Sequence, residues 1–264
     1  MKRVVSSLLL ITAVLGLAAL PAPGSAAGSI AKVGLGHITS IRSSKDLTVD
    51  KSGQVVPPVA QVDTTIAAVA FDGAGKVVKI TIDTAQTKIS FDKDLKVTSD
   101  LAAEYKTKVE LGNDYGMRKA SPIKKEWHEQ IAELEKWMIG KTVNEIKSMK
   151  TKRRDASHTA VPDIPELASL VTITVEDYIA AVEEAHKNAV SVREGAVKLG
   201  LGHGISIAKS KAAAAQVDLV MAATLFDKDG KVVRTIIDTA QTKVPFDKDG
   251  KVSADRNAEI KTKK

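Results

Sequence analysis

The sequence predicts an α+β protein of two related units, each an antiparallel β-hairpin sheet covered by helices. Three observations lead to this fold class. Residues 60–108 recur at residues 215–263 without a gap, and 31 of the 49 paired positions are identical. Each copy alternates apolar and polar residues on either side of Asp/Gly turns, which is the pattern of a β-hairpin. Between the copies the apolar residues recur about every 3.6 positions, so helices and strands are segregated along the chain.

Residues 1–27 have the layout of a secretory signal peptide. Lys2 and Arg3 precede an apolar run from Leu8 to Leu20, and the small residues at 25–27 offer a cleavage site. The run is short for a membrane span of about 20 residues, which favours cleavage over an uncleaved anchor. We therefore expect an extracellular or cell-surface protein that keeps no transmembrane span after the signal peptide is removed.

The first unit is predicted over residues 28–150, and it begins as a sheet. Strand-forming residues fill Val62–Phe71, a turn follows at residues 72–75, and a second strand alternates from Val78 onward. We expect this second strand to end at the polar segment Asp83–Lys88, and a further short strand and another Asp-rich turn to follow it.

Helices are expected to cover this first sheet. Ser121 and Pro122 suit an N-cap and a first helical position. They predict a helix over residues 122–138, whose apolar face is Ile123, Trp127, Ile131, Leu134 and Met138. Gly140 suits the end of that helix, and the capping box at residues 142–145 predicts a shorter helix after it.

The second unit is predicted over residues 171–264, after a linker at residues 151–170. The linker is charged, contains Pro162 and Pro165, and shows no sustained periodicity. A helix is predicted over residues 175–190, with an apolar face of Tyr178, Ile179, Val182, Ala185 and Ala189. By analogy with the first unit, we expect this helix to cover the second hairpin sheet.

The composition excludes several functional classes. The chain has no cysteine, so disulfides, iron–sulfur clusters, cysteine-based zinc sites and thiol catalysis are excluded. Without the signal peptide, 37 basic and 32 acidic residues leave a net charge of about +5, spread evenly along the chain. A nucleic-acid-binding protein would carry a basic patch with aromatic residues beside it, but aromatic residues make up only 3% of this sequence. We therefore expect no nucleic-acid partner.

No sequence motif prepares a nucleophile or a metal site. Gly-x-Ser-x-Gly and His-Glu-x-x-His are absent, and the acidic turn at residues 227–230 lacks the further oxygen ligands of a calcium loop. His37 and His203 occupy matching places after Gly-Leu-Gly. They would either ligate a metal between the repeats or form one hydrogen-bonded imidazole in each, and the second interpretation is favoured. We predict no catalytic residue and no metal.

The candidate binding site is the hexapeptide Asp-Thr-Ala-Gln-Thr-Lys, which is identical in both copies although neighbouring core residues differ. Short hydrogen-bonding side chains at a strand end suit a small-molecule site. The alternative is a turn whose geometry sets the register of the sheet. The predicted binding residues are Asp83, Thr84, Gln86 and Thr87 in the first copy and Asp238, Thr239, Gln241 and Thr242 in the second.

These segments also carry a family resemblance. The signal peptide, the Gly-Leu-Gly-His segments, the Asp-Thr-Ala-Gln-Thr-Lys pair and the helix from Glu126 towards Gly140 resemble exported clostridial-type repeat proteins. Those proteins are grouped near the FMN-binding-domain surface protein family. The resemblance implies an extracellular module that binds FMN and serves electron transfer. The Ser-Gly-Ala-Thr signature of covalent flavin attachment does not occur in this sequence, so the implied FMN is bound non-covalently.

Two functions follow as expectations. The first is an exported non-catalytic module that binds a small molecule or a cell-surface component, with FMN and extracellular electron transfer implied by the resemblance. The alternative is a structural or adhesive surface or matrix repeat protein that has no small-molecule ligand. The low aromatic content and the absence of reaction motifs support this alternative.

Overall fold

The computed structural model describes residues 28–263, so the predicted signal peptide lies outside the described residues. The strands are β1 (Lys32–Ser40), β2 (Thr48–Val49), β3 (Val55–Val56), β4 (Val59–Phe71), β5 (Val77–Ser90), β6 (Thr151–Lys152), β7 (Val161–Pro162), β8 (Val190–Ser191), β9 (Lys198–Ser206), β10 (Ala214–Phe226) and β11 (Val232–Pro245). The helices are α1 (Lys108–Leu111), α2 (Trp127–Met138), α3 (Val143–Lys147) and α4 (Glu176–Lys187). Two short 3-10 turns, Gly112–Tyr115 and Met117–Lys119, lie between α1 and α2.

Two antiparallel sheets form the centre of the protein. The first sheet has the strand order β5-β4-β1-β8 and the second has the order β11-β10-β9. In each sheet the hairpin of long strands comes from one copy of the repeated segment, and the Gly-Leu-Gly-His strand pairs with it. The α+β class with antiparallel sheets, predicted from the change of period, is therefore confirmed.

The inner faces of the two sheets pack against each other. Leu35, Ile66 and Ala68 of the first sheet share a buried cluster with Leu219 and Met221 of the second. At one end of the sheets a further cluster contains Phe91 and Phe246, whose rings meet edge to face. Because both inner faces are apolar, the sheets form a sandwich that buries one side of each copy of the repeat.

Helices α2 and α4 both cover the outer face of the first sheet, and only the placement of α2 was predicted. α2 buries Trp127, Ile131, Leu134 and Met138 against β5 and its neighbours, which confirms the predicted apolar face over these positions. The prediction that the helix near residues 175–190 covers the second sheet is wrong, since α4 packs on β1 and β4 of the first sheet. The reason is the strand that follows: β8 comes directly after α4 and pairs with the edge of β1, which fixes α4 beside the first sheet.

Two predicted boundaries also differ from the structure. α2 begins at Trp127 rather than Pro122, because Glu126 and Glu129 form the capping box and Lys124 has a left-handed backbone with φ of 56°. The segment Asp83–Lys88 is not a strand end, because it lies inside the continuous strand β5. The capping box at the start of α3 is present as predicted.

The stretch at residues 151–170, predicted as a linker, has structure of its own. It contains the short pair β6 and β7, and Leu167 is buried in the same cluster as α2. The division of the chain at this stretch stays a prediction. Among the described residues, no helix is long and apolar enough to cross a membrane.

Candidate functional site

The first copy of the hexapeptide is buried within β5. Asp83, Thr84 and Thr87 are almost fully shielded from solvent. The Asp83 carboxylate accepts N–H hydrogen bonds from Thr84 at 2.7 Å and from Val109 at 3.1 Å, and the Thr84 hydroxyl lies 3.3 Å from that of Thr65. These contacts fix the β5 backbone and attach α1 to the sheet.

The second copy lies in β11 and is more open. Asp238 accepts the N–H of Thr239 at 2.7 Å, as Asp83 does with Thr84 in the first copy. The Gln241 amide donates to Asp218 at 2.8 Å across the strand pair. Asp238, Thr239 and Gln241 are half-buried, whereas Thr242 points into the core. The two predicted sets of binding residues therefore lie on separate sheets.

The structure brings one predicted residue together with a histidine of the other sheet. The Nε2 atom of His203 lies 3.7 Å from an Asp83 carboxylate oxygen and 3.8 Å from one of Glu110. The matching His37 has a different partner, Glu184 of α4, which lies 3.3 Å from its Nδ1 atom. The two histidines therefore contact different carboxylates, and within residues 28–263 no group of three or more His, Asp or Glu side chains is placed to hold a metal.

A cavity on the surface beside the start of α2 was not predicted from the sequence. Its volume is about 720 Å³, and it is lined by Asn113, Gly116, Arg118, Lys119, Lys124 and Glu126. This volume lies within the range of roughly 300–1,000 Å³ that is typical of small-molecule sites. The sequence signal for it was the concentration of basic residues between positions 118 and 125.

The cavity lining has an excess of positive charge. Glu126 is buried, and its carboxylate accepts the N–H groups of Met117 at 2.8 Å and Arg118 at 3.0 Å. Arg118 forms an ion pair with Glu129 at 2.9 Å. Lys119 and Lys124 form no ion pair with any residue in the described part of the chain. Their two ammonium groups therefore remain available to an anion in the cavity.

Local backbone and hydrogen-bond geometry hold this lining in place. The N–H of Glu126 donates to Glu129 and keeps the pKa of the Glu129 carboxyl below its ordinary value, so Glu129 stays charged beside Arg118. Lys124 adopts the left-handed backbone region, which costs a non-glycine residue on the order of 1–2 kcal/mol. Strain of this kind is concentrated at functional sites.

An aromatic cluster lies next to the cavity. The Lys108 ammonium sits 4.9 Å from the centre of the Tyr115 ring and 5.4 Å from that of Trp127. The indole N–H of Trp127 donates to the Tyr178 hydroxyl at 2.8 Å. Trp127 and Tyr178 are buried and do not line the cavity, so neither offers it a free ring face.

The similarity to a curated protein covers only part of the chain. No family model matches the chain. The chain is 34% identical over 108 residues to a protein named chlorophenol reductase from Desulfitobacterium hafniense. That similarity covers 36% of this chain and 32% of the relative, so the chain matches about a third of the relative's length. No solved structure matches.

Proposed function

We propose that the protein is an exported, non-catalytic module that binds an anionic small molecule in the cavity beside α2. The observation that carries this proposal is the lining itself. Arg118, Lys119 and Lys124 surround a space of about 720 Å³, and the two lysines lack an ion pair within the described chain. Cations around a cavity favour a phosphate- or carboxylate-bearing ligand, because charge-assisted hydrogen bonds are stronger than neutral ones.

FMN, held non-covalently, is the cofactor that the family resemblance implies, and the cavity suits one end of it. The three basic side chains suit its phosphate. The lining includes no aromatic or large apolar side chain to contact the flavin ring, and Trp127 nearby is buried. We therefore propose binding through the phosphate, with the ring towards solvent. When bound, FMN would supply one- or two-electron chemistry.

A redox setting has some support from the similarity to a protein named chlorophenol reductase. We propose that this chain takes part in extracellular electron transfer as a carrier module rather than as the enzyme. The sequence has neither Gly-x-Ser-x-Gly nor His-Glu-x-x-His, and the imidazole–carboxylate contacts of His37 and His203 are separate from the basic cavity.

Titration of FMN with the purified mature protein tests this proposal. FMN fluorescence should be quenched saturably, and the double variant Lys119→Glu/Lys124→Glu should weaken the affinity at least tenfold. The matched control is Lys228→Glu/Lys248→Glu, which makes the same charge change at exposed turn positions and should stay within twofold. Riboflavin, which lacks the phosphate, should bind at least tenfold more weakly than FMN.

Three outcomes separate the parts of the proposal. Absence of saturable FMN binding would refute the flavin assignment. Thermal stabilisation by pyrophosphate that is lost in the Lys119/Lys124 variant would still support an anion site. If the Lys119/Lys124 variant changes neither the FMN affinity nor the stabilisation by pyrophosphate, the cavity is not a binding site. The structural or adhesive alternative is then the better description.

That alternative is favoured by one specific observation. The outer face of the second sheet exposes Val220 and Ile237, by 45% and 63%, at diagonal positions of two paired strands. Contiguous apolar patches that stay exposed on a folded domain mark interaction surfaces. A surface protein that binds a macromolecular partner would use this face, and it would do so without a small-molecule ligand.

A further inference from the structure

The outer faces of the two sheets have the same central row of residues. A glycine, an alanine and an isoleucine lie side by side on three neighbouring strands of each sheet. They are Gly36, Ala67 and Ile82 in the first sheet and Gly202, Ala222 and Ile237 in the second. The two rows differ in what covers them.

In the first sheet, the row is the seat of helix α4. A Cβ atom built on Gly36 would lie 2.1 Å from the carbonyl oxygen of Ala181, and one on Gly34 would lie 1.8 Å from that of Ala185. The helix backbone therefore lies directly on the strand. Ala181 and Ala185 are four residues apart on one helix face, so their small side chains allow this approach. Ile82 beneath the helices is fully buried.

In the second sheet, the same row faces solvent. A Cβ atom built on Gly202 or Gly204 would meet nothing within 4 Å. Ile237 is 63% exposed, although its counterpart Ile82 is 0% exposed. Val220, which is 45% exposed, stands where the first copy has a buried threonine. The exposed copy therefore has the more apolar residue at this position, and Val220 and Ile237 lie on the same face of the sheet.

We propose that the outer face of the second sheet binds an amphipathic α-helix of a partner protein, seated over Gly202 as α4 is seated over Gly36. The helix should present small residues at positions i and i+4 to the glycine and apolar residues to Val220 and Ile237. This function does not depend on the anion cavity, because none of these residues lines it.

The glycines decide between a helix and a second copy of the sheet as the occupant. Sheets that stack face to face lie about 10 Å apart, and side chains from both faces fill the space between them. Gly202 and Gly204 supply no side chain, so a stacked sheet would leave a void along β9. Voids of that kind are destabilising. A helix with small residues closes the gap with its own backbone, as α4 does in the first sheet.

The test uses a peptide of residues 173–190, which carries the sequence of α4, as the probe for the mature protein. A hydrocarbon staple joining positions 183 and 187 stabilises the helix on the side opposite Ala181 and Ala185. Fluorescence anisotropy should show saturable binding. A control peptide with Ala181→Leu and Ala185→Leu should bind at least tenfold more weakly, because its backbone cannot approach the glycines.

Protein variants locate the binding on the face. Gly202→Leu and Ile237→Lys should each weaken peptide binding at least tenfold, whereas Val49→Lys, at another exposed valine, should leave it within twofold. Circular dichroism melting should show Gly202→Leu to be at least as stable as the parent protein, since no atom lies where the new side chain begins. Equal binding of both peptides, or no binding, would overturn the proposal. A dimer in sedimentation that Gly202→Leu disrupts would also overturn it, in favour of a second copy as the occupant.

Discussion

Gly36 and Gly202 offer a controlled test of the packing described above. Both lie in the middle of a central row, in β1 and β9, and both have extended backbone that an alanine tolerates. Changing Gly36 to Ala forces a methyl group against the backbone of α4, at 2.1 Å from the Ala181 carbonyl oxygen. Changing Gly202 to Ala adds the same methyl group where nothing lies within 4 Å.

The expected cost at Gly36 follows from the movement that the methyl group requires. The helix must retreat by roughly 1 Å, and a gap of that size forfeits a quarter to a half of the dispersion attraction at each contact. Val182 and Tyr178 of α4 are buried, and burial of such side chains contributes about 1.5–3 kcal/mol each. The hydrogen bond from the His37 N–H to Glu184, at 2.7 Å, would also be strained. The sum is a loss of about 3 kcal/mol.

Thermal unfolding of the mature protein followed by circular dichroism measures this difference. At about 2–4 °C per kcal/mol for a domain of this size, Gly36→Ala should lower Tm by roughly 6–12 °C. Gly202→Ala should raise stability by about 0.5–1 kcal/mol, because alanine restricts the unfolded chain more than glycine does. If Gly36→Ala melts within 2 °C of Gly202→Ala, α4 does not pack on β1. The model for helix binding over Gly202 would then be refuted.

Three further predictions concern the core and the buried acids. Leu134→Asp places an unpaired charge at a fully buried position and should lower the free energy of unfolding by about 4 kcal/mol in urea titrations; an unchanged midpoint would contradict the burial of α2. Burial raises the pKa of Glu135 to about 7, so the folded state keeps a proton that the unfolded chain releases above pH 4.5. The free energy of unfolding should therefore decrease as the pH rises from 4.5 to 7. Glu135→Gln should remove this fall and stabilise the protein by roughly 1–2 kcal/mol at pH 8, and equal pH profiles for both proteins would contradict it. Asp83→Ala leaves two N–H groups without their acceptor and should cost about 2–4 kcal/mol, against about 1 kcal/mol for the more open Asp238→Ala; equal costs by the same titration would show that burial does not distinguish the copies.

Local patterns in the sequence predicted those parts of the fold that local forces determine. The alternation from Val78, the capping box at Thr142 and the apolar face from Trp127 to Met138 each depend on residues within a few positions of one another. The predicted start of α2 at Pro122 was wrong because Glu126 competes as N-cap and hydrogen-bonds to Met117 and Arg118, upstream of the helix.

Long-range contacts account for what the sequence did not reveal. The pairing of β8 with β1 decides which sheet α4 covers, and this pairing joins residues more than 150 positions apart. The contact of His203 with Asp83 and Glu110 likewise forms only when the second sheet packs on the first. The basic cavity arises from two 3-10 turns and a strained lysine, whose geometry has no periodic signature.

The contacts that the two hexapeptides share explain why their sequences are identical. Asp83 is buried beside Val109 and His203, whereas Asp238 is only half-buried. Both aspartates nonetheless accept the N–H of the next threonine at the same distance of 2.7 Å. Both copies also place the second threonine of the segment, Thr87 or Thr242, in the core.

The shared contacts are therefore local to the strand, while the contacts that differ are those made with other elements. A ligand common to both segments would need side chains exposed in the same way, and only the second copy exposes its Asp and its first Thr. Local strand geometry therefore explains the identity of the two segments better than a shared ligand does. For the same reason, the basic cavity beside α2, which is not duplicated in the second repeat, is the more informative place to look for a bound molecule.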